Sequence, residues 1–472
     1  MATTQVQSLS RLCLTTLAAP MLLAAVVAAQ ADDEAEADEG GKQEPQVVAE
    51  TRCYLETAPG DVLEALLQAL LSCNDVLPSS RYWAMRMLLR ADVRSLSVGV
   101  MPCEWHARAV GCVREHGKGL RALDLKGAWL RGDDLAAFCD ALPHLNALRV
   151  LGVPHAATDA LLQAVAEHCG KLTALDVSGE TSLSRKGLEA LCRGECAATL
   201  QVLDIGNLAE ASVSAEDAVL LLRSLPNLRS LGTYARVGAA LVAMADDGVD
   251  TKPLRLEYLR DIGTTARAAR AVVALCPALQ AVYLDAPCHG ALPLLAQLDA
   301  LSDIKLHQFD VVELDELLAL SGARCTDLEL LFGQGGALDL TRLAALCPAL
   351  QRLECYFVDC SSSGGAAWPG LQSVGVFHAA MPRHALELRE VWLAQAGRLS
   401  QAAALCFLTG CPNLTSLGEL SGWDLDAFQV DQLRLHCQRS NLDVSLWYFP
   451  RSDALDGLGL AEDLAQMVIA AP

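Results

Sequence analysis

Apolar residues recur along this chain in one phrase: an apolar position, two variable ones, an apolar position, one variable, and a third apolar residue. It reads Leu120/Leu123/Leu125, Leu145/Leu148/Val150, Leu172/Leu175/Val177 and Leu200/Leu203/Ile205. It returns as Leu279/Val282/Leu284, Leu301/Ile304/Leu306, Leu350/Leu353/Cys355 and Leu371/Val374/Val376. The alternation at the end of each phrase predicts a short strand, with its apolar side chains turned inward and the variable ones facing solvent. Helical spacing fills the gaps between phrases. In "DDLAAFCDALPHL", Asp133 reads as the N-cap, and Leu135, Phe138, Cys139 and Leu142 form one stripe. That helix is expected to stop before Pro143.

The phrases restart mostly 21 to 28 residues apart, a spacing that belongs to leucine-rich repeats. The predicted fold is therefore α/β: a leucine-rich-repeat solenoid, a horseshoe with a parallel concave sheet and outer helices, preceded by a small helical N-terminal region. Five segments follow from the pattern. Residues 1–31 are apolar, 32–50 read as an acidic disordered linker, and 51–95 as a helical region. The array of about twelve units spans 96–448, and 449–472 would cap its last layer. Within 51–95, helices are expected over "DVLEALLQALL" and over about Ser79 to Arg90, with "VRSLSV" a first strand.

A repeat array offers an extended surface, so the variable strand positions are the candidate binding residues. Down the array these are Asp124, Lys126, Arg149, Asp176, Asp204, Tyr234, Tyr258, Tyr283, Asp285, Lys305, His307, Glu354, Tyr356 and Phe377. Of these, Asp124, Arg149, Asp176, Asp204, Tyr234, Tyr283, Lys305, His307 and Tyr356 are taken as the substrate-contacting set. Exposed tyrosines among charges are the composition of a recognition patch. They are also ordinary strand residues.

Composition narrows the partners. A net charge of −21 opposes nucleic acid and anionic membranes, which need clustered Lys and Arg. It leaves a protein substrate, including a basic one. Of the 18 cysteines, Cys169, Cys276, Cys347 and Cys411 each sit just before a strand phrase, where a small buried thiol would fill a corner. Scattered thiols of this kind point to a reducing compartment, cytoplasmic or nuclear. Cys192/Cys196 and Cys355/Cys360 lack the paired ligands of a zinc site, so no metal and no cofactor are expected. No nucleophile–base arrangement stands out among the ten histidines, and "FGQGG" lacks the lysine of a phosphate loop. The chain is not expected to be an enzyme.

The first thirty residues carry two readings. Arg11, the apolar run after it and Ala29-Gln30-Ala31 have the layout of a cleaved signal peptide, which would make this a secreted or surface binding protein. Alternatively, Ser8-Leu9, Cys13 and Leu17 follow the spacing of the BC box, and Leu9, Cys13 and Leu17 would stack on one helix face suited to a partner's groove. Downstream, Ala58-Pro59, Val62 and Leu66 resemble the second box that selects cullin-2. Boxes of this kind ahead of a leucine-rich array resemble the von Hippel–Lindau-box receptors, and the cysteine-bearing repeats are similar to those of F-box leucine-rich-repeat receptors. An F-box itself is a third option, on Leu77-Pro78 and the helix after it. The resemblance implies elongin C/B and cullin-2 as partners, with Leu9, Cys13, Leu17, Pro59, Val62 and Leu66 as the adaptor-binding set. It implies a substrate-recognition role in a ubiquitin ligase.

Overall fold

The computed structural model describes residues 46–71, 78–99, 101–179, 182–206, 213–247, 252–356, 358, 360–361, 389–394, 399–411, 413–418, 420, 423 and 425–447. The box-like and signal-like residues around Leu9, Cys13 and Leu17, the phrase at Leu371/Val374/Val376, Phe377 and the expected cap lie outside the described residues. The chain divides into two compact units. One runs up to Ile262 and includes Arg267–Leu279; the other comprises Gly263–Ala266 and the residues from Gln280 onward.

Among its described residues the first unit begins with three helices: α1 (Gln46–Tyr54), α2 (Gly60–Leu71) and α3 (Pro78–Leu88). Helix α1 takes up the last residues of the stretch expected to be a disordered linker. In α2, Leu63, Leu66, Leu67, Leu70 and Leu71 recur at helical spacing and are all buried. Pro78 supplies the first residue of α3, where a missing N–H costs nothing. The helices cover the edge of strand β1 (Ser95–Ser97): the Glu64 carboxylate accepts the amides of Arg94 and Ser95. Arg90 ties the helices together by donating to the carbonyls of Leu55 and Ala58. An unpaired strand edge is a pairing hazard, and this one is closed by helix and carboxylate.

Strands β2 (Ala122–Asp124), β3 (Val150–Gly152), β4 (Ala174–Asp176) and β5 (Val202–Asp204) follow in order, each parallel to its predecessor. Leu123, Leu151, Leu175 and Leu203 align in register and are fully enclosed. The pairing corrects the phrase at Leu145/Leu148/Val150: the structural phrase is Leu148/Leu151/Val153, and Val150 is 43% exposed on the open face. Leu145 was mistaken for the first strand leucine because it fills the preceding corner. Asp133 does not cap its helix either; the helix spans Gly132–Ala141 with Arg131 at the N-cap.

In the second unit, strands β6 (Ala281–Asp285), β7 (Asp303–His307), β8 (Asp327–Leu331), β9 (Arg352–Tyr356), β10 (Glu390–Ala394), β11 (Ser416–Gly418) and β12 (Ser445–Leu446) form one parallel sheet in chain order. Two phrases here were not read from the sequence: Cys325/Leu328/Leu330, where a thiol replaces the first leucine, and that centred on Val391. Helices such as Val311–Ser321 and Gln401–Gly410 return the chain between strands. Parallel sheets in both units, with helices as the connections, make this an α/β leucine-rich-repeat solenoid.

The corners follow one rule. Cys169, Cys276, Cys347 and Cys411 each donate their amide back into the helix they end, to Val165, Val272, Leu343 and Phe407. Each then accepts at its carbonyl from the leucine three residues on: Leu172, Leu279, Leu350 and Leu414. Gly117, Leu145, Leu225, Leu298 and Gly322 accept in the same way from the residue three on, and all nine are buried. These nine corners take glycine, cysteine or leucine, compact side chains with no polar group that must be solvated, while Arg90 stands at the corresponding place before β1. Burial pushes the thiols of Cys169, Cys276 and Cys411 up to about 12, so they act as packing groups.

Strands β6, β7 and β8 each end on a non-glycine residue in the left-handed region: Ala286 at φ 47°, Gln308 at φ 50° and Phe332 at φ 55°. A Cβ there costs about 1–2 kcal/mol. Replacing Ala286 by Gly should therefore raise the stability of this unit, by about 1 kcal/mol after glycine's greater unfolded-chain entropy. Chemical denaturation of wild type and Ala286→Gly checks it, and unchanged or lower stability contradicts the strain assignment.

Candidate functional site

The open strand faces are where the sequence places its binding residues, and the second unit carries the denser chemistry. Register aligns its solvent-facing side chains in rows. Tyr283, Lys305, Glu329 and Glu354 form one row, and Ala281, Asp303, Asp327, Arg352 and Glu390 a second. Asp285 and His307 begin a third, continued by Leu331 and the position of Tyr356. Cross-strand neighbours in such rows lie about 5 Å apart, close enough for charge to decide their state.

Partners form along and across these rows. Lys305 Nζ lies 3.1 Å from Glu329, and Arg352 Nε donates to Asp327 at 2.9 Å. His307 Nδ1 meets Asp285 at 2.5 Å, and its ring stands edge-on to Phe332 with centroids 5.2 Å apart. Six carboxylates (Asp285, Asp303, Asp327, Glu329, Glu354 and Glu390) face two permanent cations, Lys305 and Arg352. Glu329 and Glu354 stand directly opposite, as do Asp303 and Asp327. Like charges so placed destabilise the sheet and resist ionisation. Burial, then the neighbouring Glu329, outweighs Arg352 and Lys305 and pushes the Glu354 carboxyl up to about 7. Burial likewise pushes Asp303 up to about 6, with Lys305 opposing it. Asp303, Asp327, Glu329, Arg352 and Glu390 were not singled out from the sequence. Asp303 sits just before the strand position that was read, and Glu329 lies in the unread cysteine-led phrase.

In the first unit the carboxylates have a different task. Asp124, Asp176 and Asp204 are half-buried at the strand ends, and each accepts the amide two residues on, from Lys126, Ser178 and Gly206. Asp204 also accepts from the amide and hydroxyl of Thr233 in the next turn. Burial raises its pKa against those hydrogen bonds. These aspartates hold turns, in the manner of Asx residues, and the second oxygen of Asp124 also accepts from the Ser97 hydroxyl.

Two expected contact residues lie inside. Tyr234 is 3% exposed, where an exposed aromatic was expected. Its turn runs one residue longer after Leu231, so the ring takes a core position and burial pushes its hydroxyl up to about 12. Leu66 is fully enclosed in the helical region, so of the downstream box Pro59, exposed, and Ala58 and Val62, half-buried, offer surface. Arg149 is exposed, but at the residue preceding β3 and not in the aspartate row. Tyr283, Lys305 and His307 are half-buried on adjacent strands, as the array reading places them. Among the described residues no group of three His, Cys, Asp or Glu side chains is arranged to hold a metal, and no helix is long and apolar enough to cross a membrane.

No protein-family profile and no curated protein sequence matches the chain. Among solved structures, it is similar to the leucine-rich-repeat-containing protein LegL7 from Legionella pneumophila at 16% identity and a TM-score of 0.31, over 55% of this chain and 79% of that one. It is also similar to a chain in the Rad7 and Elc1 complex in yeast, at 17% identity and a TM-score of 0.44, over 83% of this chain and 94% of that one.

The raised carboxyls have a signed consequence for stability. A carboxyl whose folded pKa exceeds its unfolded value contributes fully below the unfolded pKa, and the contribution is lost as pH rises through the folded one. For Glu354 and Asp303 that window runs from about 4 to about 7. The protein should lose on the order of 4 kcal/mol from these two groups between pH 5 and pH 8. Glu354→Gln should flatten that slope. Urea titrations at both pH values read it out, and equal slopes for wild type and variant contradict the coupling.

Proposed function

We propose that this chain is a protein-interaction receptor, the substrate-recognition subunit of an elongin- and cullin-2-type ubiquitin ligase. The observation that carries the receptor reading is the charged face of the second unit. Its side chains are aligned by register, only partly neutralised, and held by a rigid backbone ladder, which is the preorganisation a recognition surface needs. Six carboxylates against two cations favour a substrate segment bearing Lys or Arg, whose charges would ionise Glu354 and Asp303 fully. Catalysis belongs to the recruited ubiquitin-conjugating enzyme in this scheme, and this chain supplies only binding.

Leu9, Cys13 and Leu17 are the residues assigned to elongin C, and Pro59 with Val62 surface assigned to cullin-2. The buried, unreactive corner thiols support a cytoplasmic or nuclear setting. Affinity purification of the full chain from cells should retain elongin C, and Leu9→Ala/Cys13→Ala should cut that retention by roughly tenfold, the effect of removing buried anchors. Undiminished retention by the double variant overturns the box assignment. A mature chain that begins near Asp32 overturns the ligase reading in favour of a secreted binding protein.

A further inference from the structure

The open face of the first unit differs in kind from that of the second. Its middle row is Ala122, Val150, Ala174 and Val202, aligned strand by strand, with Val150 43% and Val202 39% exposed. An apolar stripe on one side of a sheet is ordinarily covered. Beside it, at the leading edge of the strands, runs a column of residues linked by backbone hydrogen bonds: Arg94, Arg121, Arg149, Thr173, Gln201 and Arg229.

Two members of that column end it with partners. Arg94 donates to the Gly119 carbonyl and Arg229 pairs with Glu257. Arg121 and Arg149 are exposed, stand on adjacent strands about 5 Å apart, and have no side-chain partner among the described residues. In a chain of net charge −21 the pairing of two neighbouring guanidiniums with local carboxylates would be easy to supply. The nearest carboxylate row, Asp124, Asp176 and Asp204, is instead turned to the opposite end of the strands and bonded to backbone amides. The result is a cationic edge and an apolar stripe, side by side on a rigid sheet.

We propose that this face docks an extended segment of a protein partner that carries acidic and apolar side chains two residues apart, on one of its faces. Its carboxylates pair with Arg121 and Arg149, and its apolar side chains cover Val150 and Val202. The fit is geometric as well as electrostatic. An extended segment brings residues two apart to one side, and a guanidinium donates two parallel N–H bonds to one carboxylate. The exposed Trp129, stacked on His155 in the loops that leave β2 and β3, supplies a further apolar contact at the trailing edge. This inference rests on the receptor reading and adds the chemistry of a second recognised segment.

The test is fluorescence anisotropy on the full chain with a labelled peptide repeating Glu-Ser-Leu-Ser, which sets Glu and Leu on one face of an extended segment. Saturable binding that weakens with added salt is expected. Arg121→Gln/Arg149→Gln should weaken it by roughly tenfold or more and remove most of the salt dependence, without lowering the melting temperature. Val202→Ser should weaken it severalfold with the salt dependence intact. The inference is overturned if the peptide fails to bind at about 1 mM, the weak limit of specific recognition. Equal binding by the double arginine variant, or by a Lys/Leu peptide, overturns it as well. So does displacement of the peptide by single-stranded DNA or phosphatidylserine vesicles at lower concentration, which would assign the edge to phosphates. Loss of elongin retention with peptide binding intact would strike the ligase assignment alone.

Discussion

A single backbone arrangement governs what either unit can display. The carbonyl just before each strand accepts two amides from the next turn of the solenoid. Arg121 accepts from Arg149 and Val150, Arg149 from Thr173 and Ala174, and Thr173 from Gln201 and Val202. In the second unit Gln280, Ser302, Thr326, Gln351 and Arg389 repeat the pattern. A residue so held cannot slip, because a one-residue shift would turn every core leucine to solvent. Strand spacing, the corner three residues before each first leucine, and the alignment of the open-face rows all descend from this paired acceptance. Helix length is left free, which is why the return segments vary from full helices to short tight turns such as Leu292–Gln297.

That division explains which parts of the fold were legible in the sequence. The enclosed leucines announce themselves, since Leu123, Leu175 and Leu203 can be nothing but apolar. The corner is less legible, because glycine, cysteine and leucine all satisfy it. Leu145 in the corner imitated a strand leucine and displaced the phrase by three residues. Cys325, a thiol where the phrase begins with leucine elsewhere, hid one. Tyr234 moved from face to core for the price of one added residue in its turn. In each case the hydrophobic pattern was right about burial and silent about which buried role a residue plays.

The candidate site was legible in position more than in state. Lys305 and His307 could be placed on the open face from the phrase alone. Their partners could not, because Glu329 and Asp285 reach them through register, which joins residues 22 to 25 positions apart and is set by backbone hydrogen bonds that no local pattern encodes. The same holds for the aspartates of the first unit. Asp124, Asp176 and Asp204 occupy face positions and read as binding residues, yet each holds the turn that follows its own strand.

The bulk charge is the least informative description of these surfaces. A value of −21 predicts one acidic protein with a basic partner. The second unit agrees: it places carboxylates opposite carboxylates and keeps Glu354 and Asp303 reluctant to ionise. The first unit disagrees, because its aspartates are committed to backbone amides while Arg121 and Arg149, beside valines, have no side-chain partner among the described residues. Register decides both outcomes. In one sheet it stacks acids upon acids, and in the other it stacks two arginines, so that opposite local fields arise from one repeated backbone. A solenoid of this kind writes its specificity through which residue types share a row, and a composition averaged over the chain erases that distinction.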